Sequence, residues 1–364
     1  MKYQRESVQG FHVSDFDNEA SQIFLHVDDL AETNLLHLDR VRAIFYKSKG
    51  SSSHVEVICS IKGIPLIHES PESRRSLQNT TAETLELSFE VSAAARQAFL
   101  EFKGQYQVSA FQVDDLAALE MGRIDTVFVR MEHLLYKIAA ESPQGERQIL
   151  DPRKLRDEIE AFANALPPTT RLLVRGSDVR SNDRVLSAQF FDKSEPNPDL
   201  GQHGARYLLA NEDRAALELE VVSDIPGLIY AVPFVANASD FEEFSRRHRA
   251  AGVTLAPFIE SPAVFSQIAR YNDFVCIGLK DIAQYYFAAD RSNAAMSPYI
   301  DFLDEDFSGQ LAFIVDSARR SDTTISVYQN RDVFGHFVKL FGTDGWVPSI
   351  SANEYRELAI AANT

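Results

Sequence analysis

From residue 105 onward, short continuous apolar runs alternate with stretches whose apolar positions recur every three or four residues. Eight runs read as strands: Gln105–Phe111, Ile124–Arg130, Thr170–Gly176, Leu228–Phe234, Thr254–Glu260, Asp273–Leu279, Thr323–Tyr328 and Gly345–Ile350. Between them lie helical patterns such as "VDDLAALEMG", "PRKLRDEIEAFANAL" and "ASDFEEFSRRHRAAG". Strands apolar on both faces, separated by amphipathic helices, predict a parallel sheet. Eight such units in about 255 residues fit a (β/α)8 barrel, with a doubly wound open sheet as the rival.

The first 100 residues have a different rhythm. "SQIFLHV", "VRAIFYK" and "GIPLIHES" read as strands, and "DLAETNLLHLD" as a helix. The polar, turn-rich "SPESRRSLQNTTAE" then reads as a surface loop or boundary. These signals predict a small α/β domain over 1–100 and the barrel over 101–364.

Composition narrows the function classes. The chain has 364 residues, 45% of them hydrophobic, enough to bury one large core or two unequal ones. No run of about 18 apolar residues exists and the N-terminus is polar and acidic, which predicts a cytoplasmic protein without a membrane span or signal peptide. Cys59 and Cys276 both lie in apolar, strand-like runs and read as buried and reduced. A formal charge of −17, spread along the chain, argues against nucleic-acid binding. No Walker-type or Rossmann-type glycine motif is present.

In a parallel barrel, functional groups project from the C-terminal strand ends. Here those ends carry Arg130, Arg175 and Glu260, with Asp281 just beyond Leu279. Two guanidinium groups and two carboxylates on one rim suit an anionic substrate bridged by a divalent cation.

The rim segments also resemble a known family. "FIESP", "IGLKDIAQYYFAADRSN", "LLVRGSD", "VFVRMEHLL" and "NPDLGQHGARYLL" are similar, in order, to motifs of the phosphoenolpyruvate-utilising enzymes: enzyme I of the sugar phosphotransferase system, phosphoenolpyruvate synthase and pyruvate phosphate dikinase. "GSSSHVEVICSIKGIP" resembles the phosphohistidine segment of their swivelling domain, with the same spacing from His54 to Pro65. The resemblance implies a small swivelling phosphohistidine-type α/β domain followed by a (β/α)8 TIM barrel. It implies that His54 carries a phosphoryl group, and that Glu260 and Asp281 bind Mg²⁺. Arg130, Arg175 and Arg291 would hold the phosphate of phosphoenolpyruvate. Glu132 and Asp178 would support the rim, Gln284 would orient the loop after the sixth barrel strand, and His203 falls in a matched rim motif. A homodimer through the barrel is implied as well. A neutral imidazole is nucleophilic near pH 7, and serines at a helix start offer donors to phosphate oxygens, so Ser51–His54 suits this chemistry.

The sequence departs from the pattern at several points. The family's catalytic cysteine after the seventh strand has no counterpart in "TTISVYQNRD", where Val327 or Tyr328 takes its place. Lys280 replaces the asparagine beside Asp281, and His203 and Met131 replace an arginine and a threonine. No ATP-grasp domain or carrier-binding helical insert is recognisable, so any second phosphoryl partner is a separate protein or small molecule. Three readings follow: a phosphotransferase working through His54, a repurposed barrel enzyme in which Lys280 and Tyr328 do other chemistry, and a noncatalytic binding homologue.

Overall fold

Five strands of the N-terminal segment build one sheet: β1 (Lys2–Val13), β2 (Ile23–Asp29), β3 (Val41–Ser48), β4 (Leu66–His68) and β5 (Glu83–Glu90). Their order in this computed structural model is β4-β3-β2-β1-β5, with β5 antiparallel to β1 and the other neighbours parallel. The structure describes residues 2–13, 22–29, 40–48, 59, 64–68, 83–141 except 118, and 151–364 except 184, 272, 292, 294 and 330. His54, Ser51–Ser53 and most of the helix expected over Asp29–Asp39 lie outside the described residues. The parallel strands β2 and β3 bury Ile23, Phe24 and Leu25 against Val41, Ala43, Ile44 and Phe45, which is why they read as unbroken apolar runs. Strands β1 and β5 were not among the sequence expectations. Cys59 is buried as expected, but in helical rather than extended backbone.

The chain divides into two compact units, Met1–Glu90 with Tyr136–Glu146, and Val91–Leu135 with Arg147–Thr364. The second unit contains all eight expected strands: β6 (Tyr106–Ser109), β7 (Ile124–Arg130), β8 (Arg171–Arg175), β9 (Leu228–Val235), β10 (Thr254–Ile259), β11 (Phe274–Gly278), β12 (Thr324–Tyr328) and β13 (Val347–Ser351). They close into a barrel, β13 pairing with β6 and every pairing parallel. The closed parallel barrel rules out the open doubly wound sheet.

Side chains alternate along each strand, so every second residue points inward. Phe128, Leu173, Ile229, Ala231, Ala256, Phe258, Phe274 and Cys276 pack together as one buried cluster inside this unit. Helices cover the barrel where local chemistry starts them. Asp151 caps Pro152–Ala165 by accepting from the Arg153 N–H, and Leu155, Ile159 and Phe162 form its buried stripe. A reciprocal Ser351–Glu354 capping box starts Ala352–Asn363. The helix expected over "VDDLAALEMG" is instead a short 3₁₀ turn at Val113–Leu116. The Asp115 carboxylate there accepts from the Phe111 and Gln112 N–H groups, an arrangement that closes a tight turn. Among the described residues no helix is long and apolar enough to cross a membrane.

Candidate active site

Strand register places the functional side chains at one level of the barrel. Arg130 pairs with Arg175 across β7 and β8, and Gly278 pairs with Tyr328 across β11 and β12. Glu260 follows β10 immediately, after the Ile259–Ile277 pairing. The register of β10 against β9 shifts between Pro257 and Ile259. Proline cannot donate to the ladder, so the strand adjusts there, one turn of side chains before Glu260.

Arg175 is the buried hub. Its guanidinium donates to Glu132 through Nη2 and to both oxygens of Glu260 through Nη1, at 3.2 and 3.3 Å. Asp178 lies 3.9 Å from Nη2. Arg175 also covers the Phe258 ring, its carbon 4.9 Å from the ring centre. Sequence reasoning missed Arg180, which bridges Asp199 and Asp281 at 3.2 Å each. Arg291 takes the other oxygen of Asp281 at 3.0 Å. Gln284 Oε1 accepts the Arg291 N–H at 3.1 Å, a contact between the helix Leu279–Tyr286 and the loop after it.

His203 Nδ1 lies 2.7 Å from Asp178 and Nε2 3.2 Å from the Asp199 carbonyl. Both neighbours offer acceptor oxygens, one to each ring nitrogen. Tyr285 donates to the same Asp199 carbonyl at 2.6 Å. The loop after β8, through Arg180, and the helix Leu279–Tyr286, through Tyr285, thus meet at one residue of the "NPDLG" segment. A second missed residue, Glu218, is buried behind the site. It accepts from the Ser177 N–H at 3.1 Å, the Tyr230 hydroxyl at 2.8 Å and Arg214 at 3.2 Å. Bonds to a buried carboxylate are worth about 1.5–3 kcal/mol each, enough to fix the turn carrying Arg175 and Asp178. No sequence signal marked Glu218, because an acidic residue in a polar helix reads as solvated.

The carboxylates sit in contrasting fields. Burial pushes Asp178 upward, but His203, Arg175 and Arg180 outweigh it and hold the group well below the ordinary range. Burial also pushes Asp281 up, and Arg291 and Arg180 bring it below its usual value. Glu260 goes the other way: burial raises it far above the usual range, with Asp281 and Asp178 adding to the rise against Arg175. His133, stacked on Phe111 at 4.6 Å, is held neutral by burial and by Arg130 and Arg175.

Across the mouth, two cations meet one phenol. The Arg130 guanidinium carbon lies 4.9 Å and Lys280 Nζ 5.9 Å from the centre of the Tyr328 ring. Burial raises the Tyr328 hydroxyl, yet Arg130 and Lys280 bring it below the ordinary phenol value. Among the described residues no carboxylate lies within ion-pair distance of Arg130 or Lys280. The Arg130 Nε is buried without a hydrogen-bond partner among the described residues.

Gly278 is set by close approach. A Cβ there would lie 2.5 Å from Glu260 Cγ and 2.7 Å from Oε1. Gly278→Ala therefore displaces Glu260 from Arg175, with an expected cost of about 1–3 kcal/mol. A lowered urea midpoint together with weakened anion binding is the expected outcome; unchanged values in both would refute the packing argument.

The Mg²⁺ implied by the resemblance would draw on this donor set. Magnesium takes hard oxygen ligands, commonly one or two carboxylates plus substrate oxygens. Both Asp281 oxygens face guanidinium groups, and Glu260 is engaged by Arg175. Among the described residues no three His, Cys, Asp or Glu side chains group as a metal site. The carboxylates as arranged do not fit a resident Mg²⁺.

Comparison with known proteins agrees with the rim motifs. A phosphoenolpyruvate-protein phosphotransferase of Streptomyces coelicolor is 31% identical over 191 residues, covering 50% of this chain and 33% of that protein. A phosphoenolpyruvate-protein phosphotransferase of Haloferax volcanii is 26% identical over 317 residues, covering 75% of this chain and 54% of that protein. The chain thus spans about one third to one half of these relatives. The solved structure of macrophomate synthase overlaps 74% of this chain and 86% of its own at 13% identity, with a TM-score of 0.39, too low to carry a conclusion. Residues 110–330, more than half the chain, match the model of the PEP-utilising enzyme, PEP-binding domain, and include every rim residue described above. The protein belongs to the PEP-utilising enzyme family.

Proposed function

We propose that the chain is a phosphotransferase that moves the phosphoryl group of phosphoenolpyruvate, or a similar small phosphorylated acid, to His54 and then to a separate acceptor. The observation that carries this reading is the pair of cations without carboxylate partners among the described residues, Arg130 and Lys280, at the mouth of the domain matched to phosphoenolpyruvate binding. Fixed cations there offer charge to a phosphate whose negative charge spreads over three oxygens during transfer. Arg175 and Arg291, held by Glu132, Asp178, Asp281 and Gln284, complete the cradle, and His203 holds Asp178 in place.

In the forward step an imidazole nitrogen of His54 attacks phosphorus and the bond to the enol oxygen breaks. The electron pair passes to the enolate, whose C3 takes a proton to give pyruvate. Tyr328 supplies that proton in place of the family's cysteine, and the proton that leaves the phosphorylated imidazolium returns through water to the phenolate. The cations beside Tyr328 make it a stronger acid than an isolated phenol. In this reading the N-terminal unit serves as the swivelling carrier of the phosphoryl group.

Incubation of the full chain with phosphoenolpyruvate tests this. Intact mass at neutral pH is expected to rise by one phosphate, in an acid-labile form absent from His54→Ala. A folded protein that gains no adduct refutes transfer through His54 and leaves the repurposed and noncatalytic readings.

A further inference from the structure

Within that proposed function, we infer that fixed cations have taken over the role of the divalent metal, so that this mouth binds an acid bearing both phosphate and carboxylate without Mg²⁺. Coordination requires carboxylate lone pairs to point at an ion about 2.0–2.1 Å away. Here Arg180 Nη2 stands 3.2 Å from one oxygen of Asp281, and Arg291 Nη1 stands 3.0 Å from the other. A divalent ion on that carboxylate would meet two guanidinium groups that cannot lose their charge.

The clamp is built into the loops. Arg180 is anchored at its other edge by Asp199, whose carbonyl is in turn held by Tyr285 and His203. Arg291 is fixed through its own backbone by Gln284. Lys280, the residue next to Asp281, adds another positive charge where the family pattern has a neutral asparagine.

The contacts also divide the cations into two groups. Glu132, Asp178, Asp199, Glu260 and Asp281 all lie against Arg175, Arg180, Arg291 or His203. Arg130 and Lys280 remain, both beside Tyr328, without a carboxylate partner among the described residues. A ligand phosphate can therefore be neutralised by side chains alone, while the carboxylates serve to aim the arginines.

Calorimetric titration of the full chain with phosphoenolpyruvate, in excess EDTA and in Mg²⁺, tests this. Wild-type dissociation constants are expected to agree within about threefold between the two conditions. In Arg180→Ala/Lys280→Asn, which frees one Asp281 oxygen and restores the neutral neighbour, EDTA is expected to weaken binding by about tenfold or more relative to Mg²⁺. Electron paramagnetic resonance of Mn²⁺ added to wild-type protein with phosphoenolpyruvate gives a readout independent of the variant, and no bound-ion signal is expected. Wild-type binding that appears only with Mg²⁺, or a bound Mn²⁺ signal, overturns the metal-free inference and leaves the phosphotransfer proposal standing. Absence of phosphoenolpyruvate binding in both conditions overturns the two together.

Discussion

Arg175→Ala is expected to lose about 3–5 kcal/mol of folding stability and, on the proposed function, all phosphoenolpyruvate-dependent phosphorylation. The loss is large because the guanidinium is buried among Glu132, Asp178 and Glu260, and its removal strands carboxylates that water does not reach. Arg175→Lys does not rescue, since an ammonium cannot span Glu132 and Glu260 with one planar fork. The pH dependence separates this from simple loss of packing. Stranded carboxylates have folded pKa values above their unfolded ones, which lie near 4. The penalty is full above the raised values and is relieved as pH falls through them. The gap between wild-type and variant urea midpoints should therefore narrow on moving from pH 7 to about pH 5. A gap that stays constant, or widens, contradicts the charge argument.

On the proposed mechanism, Tyr328→Phe is expected to lower the rate of pyruvate formation by about 10²-fold or more, the usual worth of a positioned proton donor. The ring and its packing on Phe128 stay in place, so KM should change little while kcat falls. Deuterium incorporation at C3 from heavy water reports the proton step directly and should fall in parallel. The wild-type rate should also decline with rising pH as the phenol ionises. That decline begins below the ordinary phenol value of about 10, because Arg130 and Lys280 favour the phenolate. Lys280→Met moves the alkaline limb upward by removing one of the two cations. A Tyr328→Phe enzyme with unchanged C3 exchange would eliminate the phenol as donor.

The barrel was legible because each of its strands is apolar on both faces, and the eight expected runs fall on β6 to β13 within two residues at each end. The small sheet was less so. In β5, Leu85, Leu87 and Phe89 recur at every second position, a strand signal that the polar Glu86 and Ser88 between them obscured. Strand β1 carries charged and polar residues along most of its length and gave no apolar run to read. The same division holds at the mouth. Arg130, Arg175 and Glu260 stand at strand ends, where periodicity alone fixes their direction. Arg180 sits in a loop that folds back to Asp281, 101 positions away in the chain, and no local pattern encodes that contact. Its one visible trace was a cation alone in the polar "SDVRSND" stretch, which reads equally well as solvated surface.

Asp199 gives the mouth a mechanical property. One peptide carbonyl receives both Tyr285 and His203 while the adjoining side chain holds Arg180. The loop after β8, the helix after β11 and the "NPDLG" corner are thereby tied at a single knot. None can shift without slackening the others, so a molecule settling against one turn tightens all three at once.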